Sequence, residues 1–305
     1  VTGGDAFRST RLLCIAMALL FAAPAASSQE LEPRAYRTLP VGLNFVVIEN
    51  SFSSGAVVTE AASPLQDLEV DVTILSIGYL RSFGFLGRTS TVAVGLPYAH
   101  LTGTAVLEGE EVSGSRSGCA DLRVRWAVIL VGGRALSPEE FAGYRQSRNL
   151  GVSLTVSAPT GQYDSSRIIN FGANRWAFKP EIGYSSVRGR WIFDVAAGVW
   201  FFTDNTDYLG GFTRTQDPIG SVQAHVSYNF SNGIWLALDA NFFTGGRSTV
   251  GGVENADLQR SSRVGMTLSL PLAGPHSLKL AAESGAYTSI GADFDRLSVA
   301  YQYRW

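Results

Sequence analysis

The chain has 305 residues, with 24 Lys and Arg against 26 Asp and Glu, for a formal net charge of −2. That balance offers no basic footprint for nucleic acid. Charged residues are 16 % of the chain while Gly reaches 33 residues, and ordinary soluble domains carry about 25 % charge. Of two cysteines, Cys14 lies in an apolar N-terminal run, so Cys119 has no partner for an internal disulfide once that run is removed.

The N-terminus has the three parts of an export signal. Arg8 and Arg11 are its positive region, Leu12 to Ala23 its apolar core, and Pro24-Ala25-Ala26-Ser27-Ser28 its small-residue exit. The apolar core is well short of the ~20 residues that a spanning helix needs. Residues 1–28 therefore read as a cleaved signal, and residues 29–305 as one exported domain.

From Val41 onward, alternating segments separated by turn residues predict about twelve strands. They run near 41–50, 67–83, 88–101, 121–131, 149–158, 175–187, 191–202, 221–230, 234–243, 263–271, 277–286 and 296–305. The fifth is a clean case: Leu150, Val152, Leu154 and Val156 oppose Gly151, Ser153, Thr155 and Ser157. In the last, Leu297, Val299, Tyr301, Tyr303 and Trp305 share one parity, while Arg296, Ser298, Gln302 and Arg304 share the other. Between strands four and five, Ser137-Pro138-Glu139-Glu140-Phe141 predicts a short helix with a serine cap and proline in its first turn.

Connections alternate between tight ones, such as Arg188-Gly189-Arg190 and Ser231-Asn232-Gly233, and long polar ones, such as 102–120, 159–174, 203–220 and 244–262. Short and long connections in turn are the pattern of periplasmic turns and extracellular loops in an outer-membrane barrel. The expected fold is thus all-β: a transmembrane antiparallel up-and-down β-barrel of about twelve strands, with a short periplasmic helix after the fourth. Both ends of the strand series fall on the periplasmic side. The partners this implies are outer-membrane lipid, a small-molecule solute, and the barrel-assembly machinery acting through the final strand ending in Trp305.

If the apolar parity meets lipid, the other lines the lumen. That rule selects Asn44, Glu69, Asp71, Arg123, Arg125, Lys179, Glu181, Asp194, His225, Asp239, Lys279 and Glu283, together with Gln223, Asn241 and Gln302. Acids and bases are interspersed, so a lumen of mixed charge is expected rather than a single-sign filter. In the second strand Glu69, Asp71 and Thr73 share parity with Leu75, Ile77 and Tyr79. The expectation is a face-switching bulge or an apolar lumen patch at Leu75, Ile77 and Tyr79. Glu49 falls on the presumed lipid parity of the first strand and is expected above the hydrocarbon band. Trp176, Tyr184, Trp191, Trp200, Phe201, Phe202, Tyr228, Trp235, Phe242 and Phe243 gather toward strand ends, as an interfacial aromatic girdle requires.

Several stretches resemble one family. They are Glu30-Leu31-Glu32-Pro33-Arg34-Ala35-Tyr36, then Pro40-Val41-Gly42-Leu43-Asn44-Phe45, Gly95-Leu96-Pro97-Tyr98, Ala158-Pro159-Thr160-Gly161-Gln162-Tyr163, and Asn170-Phe171-Gly172-Ala173-Asn174-Arg175-Trp176 followed by Lys179-Pro180-Glu181. In this order they are similar to the "MetA-pathway of phenol degradation" family of outer-membrane transporters. The resemblance implies a barrel for uptake of aromatic or other hydrophobic compounds, and it carries over no catalytic residue or cofactor. Where members often have a Gly-Tyr pair in the first strand, this chain has Ile48-Glu49-Asn50-Ser51.

No His or Cys spacing suits a metal, and no glycine turn before a helix suits a phosphate. His225-Val226-Ser227, with Asn241 on the next strand, is similar to the His-x-Ser and Asn of outer membrane phospholipase A. That enzyme works on the lipid side, whereas Val222, Ala224, Val226 and Tyr228 claim the lipid parity here. The sequence therefore favours a non-enzymatic channel, with a surface-loop scaffold or a lipid-modifying enzyme as alternatives.

Overall fold

A computed structural model of the protein describes residues 31–58, 65–107, 109–167 and 169–305. The expected export signal, residues 1–28, lies outside the described residues.

In chain order the elements are β1 (Asn44–Val58), β2 (Leu65–Phe85), β3 (Arg88–Leu107), β4 (Glu110–Cys119), β5 (Leu122–Val131), α1 (Pro138–Ala142), β6 (Arg148–Ala158), β7 (Ala177–Arg188) and β8 (Trp191–Phe202). They continue with β9 (Asn205–Tyr208), β10 (Phe212–Gln216), β11 (Ile219–Asn229), β12 (Trp235–Gly245), β13 (Ser248–Val250), β14 (Val253–Glu254), β15 (Gln259–Pro271), β16 (His276–Thr288) and β17 (Gly291–Arg304). Twelve of these pair around a closed antiparallel cylinder in the order β1, β2, β3, β5, β6, β7, β8, β11, β12, β15, β16, β17 and back to β1. The closing ladder is unbroken from Phe45↔Arg304 to Val58↔Gly291. Reciprocal bonds between Asn44 and Trp305, at 2.9 and 3.1 Å, finish it. In a bilayer each unpaired backbone group costs several kcal/mol, so this seam lets the sheet sit in lipid without an edge.

Five connections at the end holding Asn44 and Trp305 include tight turns. Leu86 and Gly87 both have positive φ, 49° and 74°, as a two-residue hairpin of the primed type requires. The longer link from β5 to β6 carries α1. Its capping box is complete, with the Glu140 amide donating to Ser137 Oγ and the Ser137 amide donating to Glu140 Oε2. Short turns mark this end as periplasmic.

The extracellular side departs from the expected loops. β4 pairs with the upper part of β3 and β5 with its lower part, so β4 and β5 are one wall strand interrupted at Ala120-Asp121. The expected loop 102–120 is therefore a hairpin rising out of the wall. The connections after β8 and β12 meet as a separate sheet in the order β14, β13, β10, β9.

Cross-strand partners in a sheet share a face, so pairing carries the outward parity around the barrel. Tyr301 pairs with Ile48, Ile48 with Ile77, and Ile77 with Leu96. This row corrects three expectations. Leu75, Ile77 and Tyr79, at 46 %, 58 % and 37 % exposure, face outward and are not a lumen patch. No bulge switches the faces between Glu69 and Tyr79, so Glu69 and Asp71 are also outside. They sit on the extracellular extension of β2, where a carboxylate meets headgroups and water rather than acyl chains. In β1 the parity is the reverse of the expected one: Val46, Ile48 and Phe52 point out, while Phe45, Val47 and Glu49 point in. Asn44 accordingly lies on the outer parity at the periplasmic rim, accepting from the Tyr79 hydroxyl at 2.8 Å.

Outward aromatics cluster at the periplasmic rim, where Trp191, Tyr228 and Phe230 meet edge to face and Tyr79, Tyr303 and Trp305 lie side by side. Four residues of the expected girdle lie on the inner face instead. Trp200 and Phe243 are buried on the inner wall with Ile219, packed by Phe202, and Trp235 lies beneath Arg34 inside the barrel.

Val195 sits midway along β8, outward, between Tyr184 and Ala224. Val195→Arg is expected to lower the unfolding free energy by about 2–4 kcal/mol, measured by urea titration in lipid vesicles. Asp293→Arg, at an exposed position on the extracellular extension of β17, should leave it within about 0.5 kcal/mol. Equal effects at the two sites would contradict the assigned lipid face.

Candidate functional site: the lumen and the segment that crosses it

The inner wall begins with the residues the alternation turned inward. Glu181 on β7 is the most connected of them. It receives Lys179 Nζ at 2.7 Å, the Tyr36 hydroxyl at 2.9 Å and Gln223 Nε2 at 3.2 Å, and Arg125 approaches to 3.7 Å. Gln223 in turn faces His225 Nε2 through its carbonyl at 3.3 Å. The other ring nitrogen of His225 is 2.7 Å from Asp239, whose second oxygen accepts from the Thr267 hydroxyl at 2.8 Å. One hydrogen-bonded line thus crosses the wall from β7 to β15. Buried charges at this density require such pairing.

A second network continues around the wall from β15 through β16 and β17 to β1. Arg296 on β17 bonds Glu49 at 2.8 Å and lies 3.8 Å from Glu283, which also faces Arg263 at 3.8 Å. Glu49, expected above the hydrocarbon band, is therefore a lumen residue paired with a cation. Arg123, Asp194 and Lys279 also take the inner parity, opposite Gly95, His225 and Ala300 in the neighbouring strands. The inner set is mixed in sign.

Residues 31–43, of which alternation marks only 41–43 and those as the start of the first strand, cross the periplasmic half of this lumen; β1 begins at Asn44 instead. Near β1, Gly42 and Leu43 bond to the Ser82 backbone and side chain, and Pro40 accepts from the Ser82 hydroxyl at 2.6 Å. Val41 donates to Leu136 O at 2.8 Å. Asn149 Nδ2 holds both Tyr36 O and Thr38 Oγ1 at 2.9 Å. Farther along, Arg34 bonds Asn229 and stacks 4.1 Å above the Trp235 ring. Tyr36 is the anchor, 3 % exposed, with its hydroxyl between Ser153 and Glu181 and Arg125 over its ring. The ring lies on backbone: a Cβ added at Gly183 would come within 2.0 Å of it, and one at Gly151 within 2.6 Å. The glycines of β6 and β7 make the space that the tyrosine fills.

The extracellular half holds apolar wall instead. Val57, Leu68, Val70, Leu101 and Ala105 form a buried patch on the inner face of β1, β2 and β3. Ile169 and Phe171 of the β6–β7 loop, with Tyr208, Leu209 and Val250 of the loop sheet, pack against it. This is the apolar lumen surface that was expected at Leu75, Ile77 and Tyr79, on the opposite parity and nearer the mouth. The β6–β7 loop is drawn inward by Asp121, which accepts from the Gly161 and Ala173 amides at 2.9 Å each.

A family model described as "Putative MetA-pathway of phenol degradation" matches residues 49–284. The chain belongs to this family. Membership is consistent with a closed barrel, whose greasy exterior places the protein in the bacterial outer membrane. The COG4313 outer membrane channel from Pseudomonas putida F1 superposes with a TM-score of 0.76 at 21 % identity, covering 90 % of this chain and 100 % of that one. The transport unit of the autotransporter AIDA-I from Escherichia coli follows at 0.53 and 8 % identity, covering 97 % and 98 %. The beta domain of the Bordetella autotransporter BrkA gives 0.51 at 13 % identity, covering 87 % and 100 %. These likenesses concern the fold. No curated protein matches the chain.

His225, Ser227 and Asn241 are 2 %, 0 % and 7 % exposed and lie on the inner parity, so the arrangement suggestive of a lipase faces away from lipid.

Gly183→Ala pushes a methyl group into the Tyr36 ring, and the segment should leave the wall. Trypsin is then expected to cut after Arg34 and Arg37 several-fold faster in the folded, micelle-bound variant than in the parent. Unchanged cleavage would contradict the docking.

Proposed function

We propose that this family member is a passive outer-membrane channel for small hydrophobic or aromatic solutes. The observation that carries the reading is the apolar patch of Val57, Leu68, Val70, Leu101 and Ala105, set at the mouth above a lumen laced with charged and polar side chains. A polar solute gains nothing from such a surface, whereas burying an apolar one yields about 25 cal/mol per Å². The loop residues now resting on the patch, Ile169, Phe171 and Tyr208, are the groups a solute would replace. Beyond the patch lies the charge-laced middle, closed from below by residues 31–43. Passage on this account requires Tyr36 and its neighbours to yield, and the few polar bonds holding them set the barrier. The family description supports the choice of aromatic compounds, and the channel of similar fold supports transport as the activity. The strand β17 is the segment we expect the assembly machinery to engage.

One observation favours a second reading. Both halves of the lumen are occupied by the chain itself, as suits a barrel that only displays its extracellular sheet. Uptake of N-phenylnaphthylamine by intact cells, followed by its fluorescence, separates the two. Cells carrying the protein should take it up faster than cells lacking it, and a variant without residues 31–40 faster still. Identical rates in all three strains would eliminate the channel in favour of the scaffold.

A further inference from the structure

Two arginines meet at the extracellular loops, one in the β6–β7 loop and one in the loop sheet. Arg175, just before β7, is 4 % exposed, with its guanidinium 4.4 Å from the centre of the Phe202 ring. One terminal nitrogen, Nη2, donates to Gln216 Oε1. That amide is fixed in orientation because its nitrogen donates to Gly246 O at 2.8 Å. The other terminal nitrogen, Nη1, is buried and makes no hydrogen bond. Arg214 on β10 stands close enough to repel it and lies 5.4 Å from the Tyr208 ring centre. Burial, and then the charge of Arg214, push the Arg175 guanidinium down to about 9.

Among the described residues neither arginine has a carboxylate in an ion pair. Of the nearby acids, Asp204 acts on Arg175 only through its charge from an exposed position, and the buried ones are held by other donors. Asp121 holds the Gly161 and Ala173 amides, and Asp257 holds the Ser248 amide and hydroxyl at 2.8 and 2.6 Å. A buried guanidinium with a free N–H beside a second cation is an unfavourable arrangement. An oxyanion accepting from both relieves it, since guanidinium–carboxylate bonds are among the strong ones. Beside the charges lie rings rather than polar groups: Phe202 under Arg175, and Tyr208 under Arg214. Tyr208 belongs to the apolar cluster at the mouth and leads from the arginines onto Phe171.

We propose that Arg175 and Arg214 form a binding site for organic monoanions, a single carboxylate or phenolate group on an aromatic or aliphatic body. The oxyanion sits between the two guanidinium groups and the body lies along Tyr208 toward the apolar patch. This deepens the uptake reading and rests on it for its use, because it names the class of solute collected at the mouth. The site itself is measurable without any transport.

The test is titration calorimetry of the whole folded barrel in neutral detergent, with 4-phenylbutyrate, its neutral amide and inorganic sulfate as probes. The carboxylate should bind saturably, and the amide and sulfate about tenfold more weakly or worse. Arg175→Gln and Arg214→Gln should each weaken the carboxylate by about tenfold or more while leaving the amide unchanged. Should the buried Arg175→Gln fail to fold, judged by heat-modifiable gel migration, the half-buried Arg214→Gln carries the test alone. Amide or sulfate binding as tight as the carboxylate, or a folded Arg214→Gln that binds like the parent, would overturn the site. A barrel that binds the carboxylate yet speeds no uptake of N-phenylnaphthylamine would end the channel reading and leave this one standing.

Discussion

The seam between β1 and β17 is the constraint on which everything else depends. A sheet of twelve strands in a bilayer has no water to satisfy an open edge, so it closes or it does not insert. Closing gives the sheet an inside. Once Ile48 must lie beside Tyr301 and Ile77, Glu49 has to turn inward, and Arg296 is waiting for it across the strand. The lumen charges follow from the same step. Glu49, Glu181, Asp239 and Glu283 are tolerable inside because each meets an opposite charge or a hydrogen-bond partner there, and would be costly outside.

Closure also creates a volume that the wall side chains fill only in part. The chain answers differently in the two halves. Toward the periplasm it lays its own N-terminal segment across the cylinder, using polar bonds and one tyrosine set on glycine backbone. Toward the outside it folds loops inward onto an apolar wall. The two seals differ in kind. Hydrogen bonds to a charged group such as Glu181 are directional and specific to one partner, whereas apolar packing accepts any greasy body of suitable size. On the proposed function, a hydrophobic solute competes at the mouth and not at the inner anchor.

Much of the fold was legible in the sequence because a barrel strand repeats with period two and its turns alternate in length. The twelve wall strands, their pairing in order and the helix start at Ser137 and Pro138 all follow from local residue patterns. The errors have physical causes. In β1 both parities are apolar, Phe45 and Val47 against Val46 and Ile48, so alternation carries no sign and only the neighbours decide. In β2 one parity passes from Tyr79, Ile77 and Leu75 to Asp71 and Glu69 because the strand outlasts the membrane, and an environment change resembled a face change. The segment around Tyr36 has no period at all: its position is set by glycines at 151 and 183, far away in sequence. The pair Arg175 and Arg214 was likewise invisible, since two loops meet there only after the barrel has closed.

Amide hydrogen exchange of the protein in lipid nanodiscs tests the closed cylinder most directly. The amides of β1 and β17 from Val46 to Val57 and from Ala292 to Tyr303 should exchange no faster than those of β7 and β8 in the middle of the chain. Rapid exchange confined to β1 and β17 would mean an open edge, and with it the assignment of inside and outside would fail.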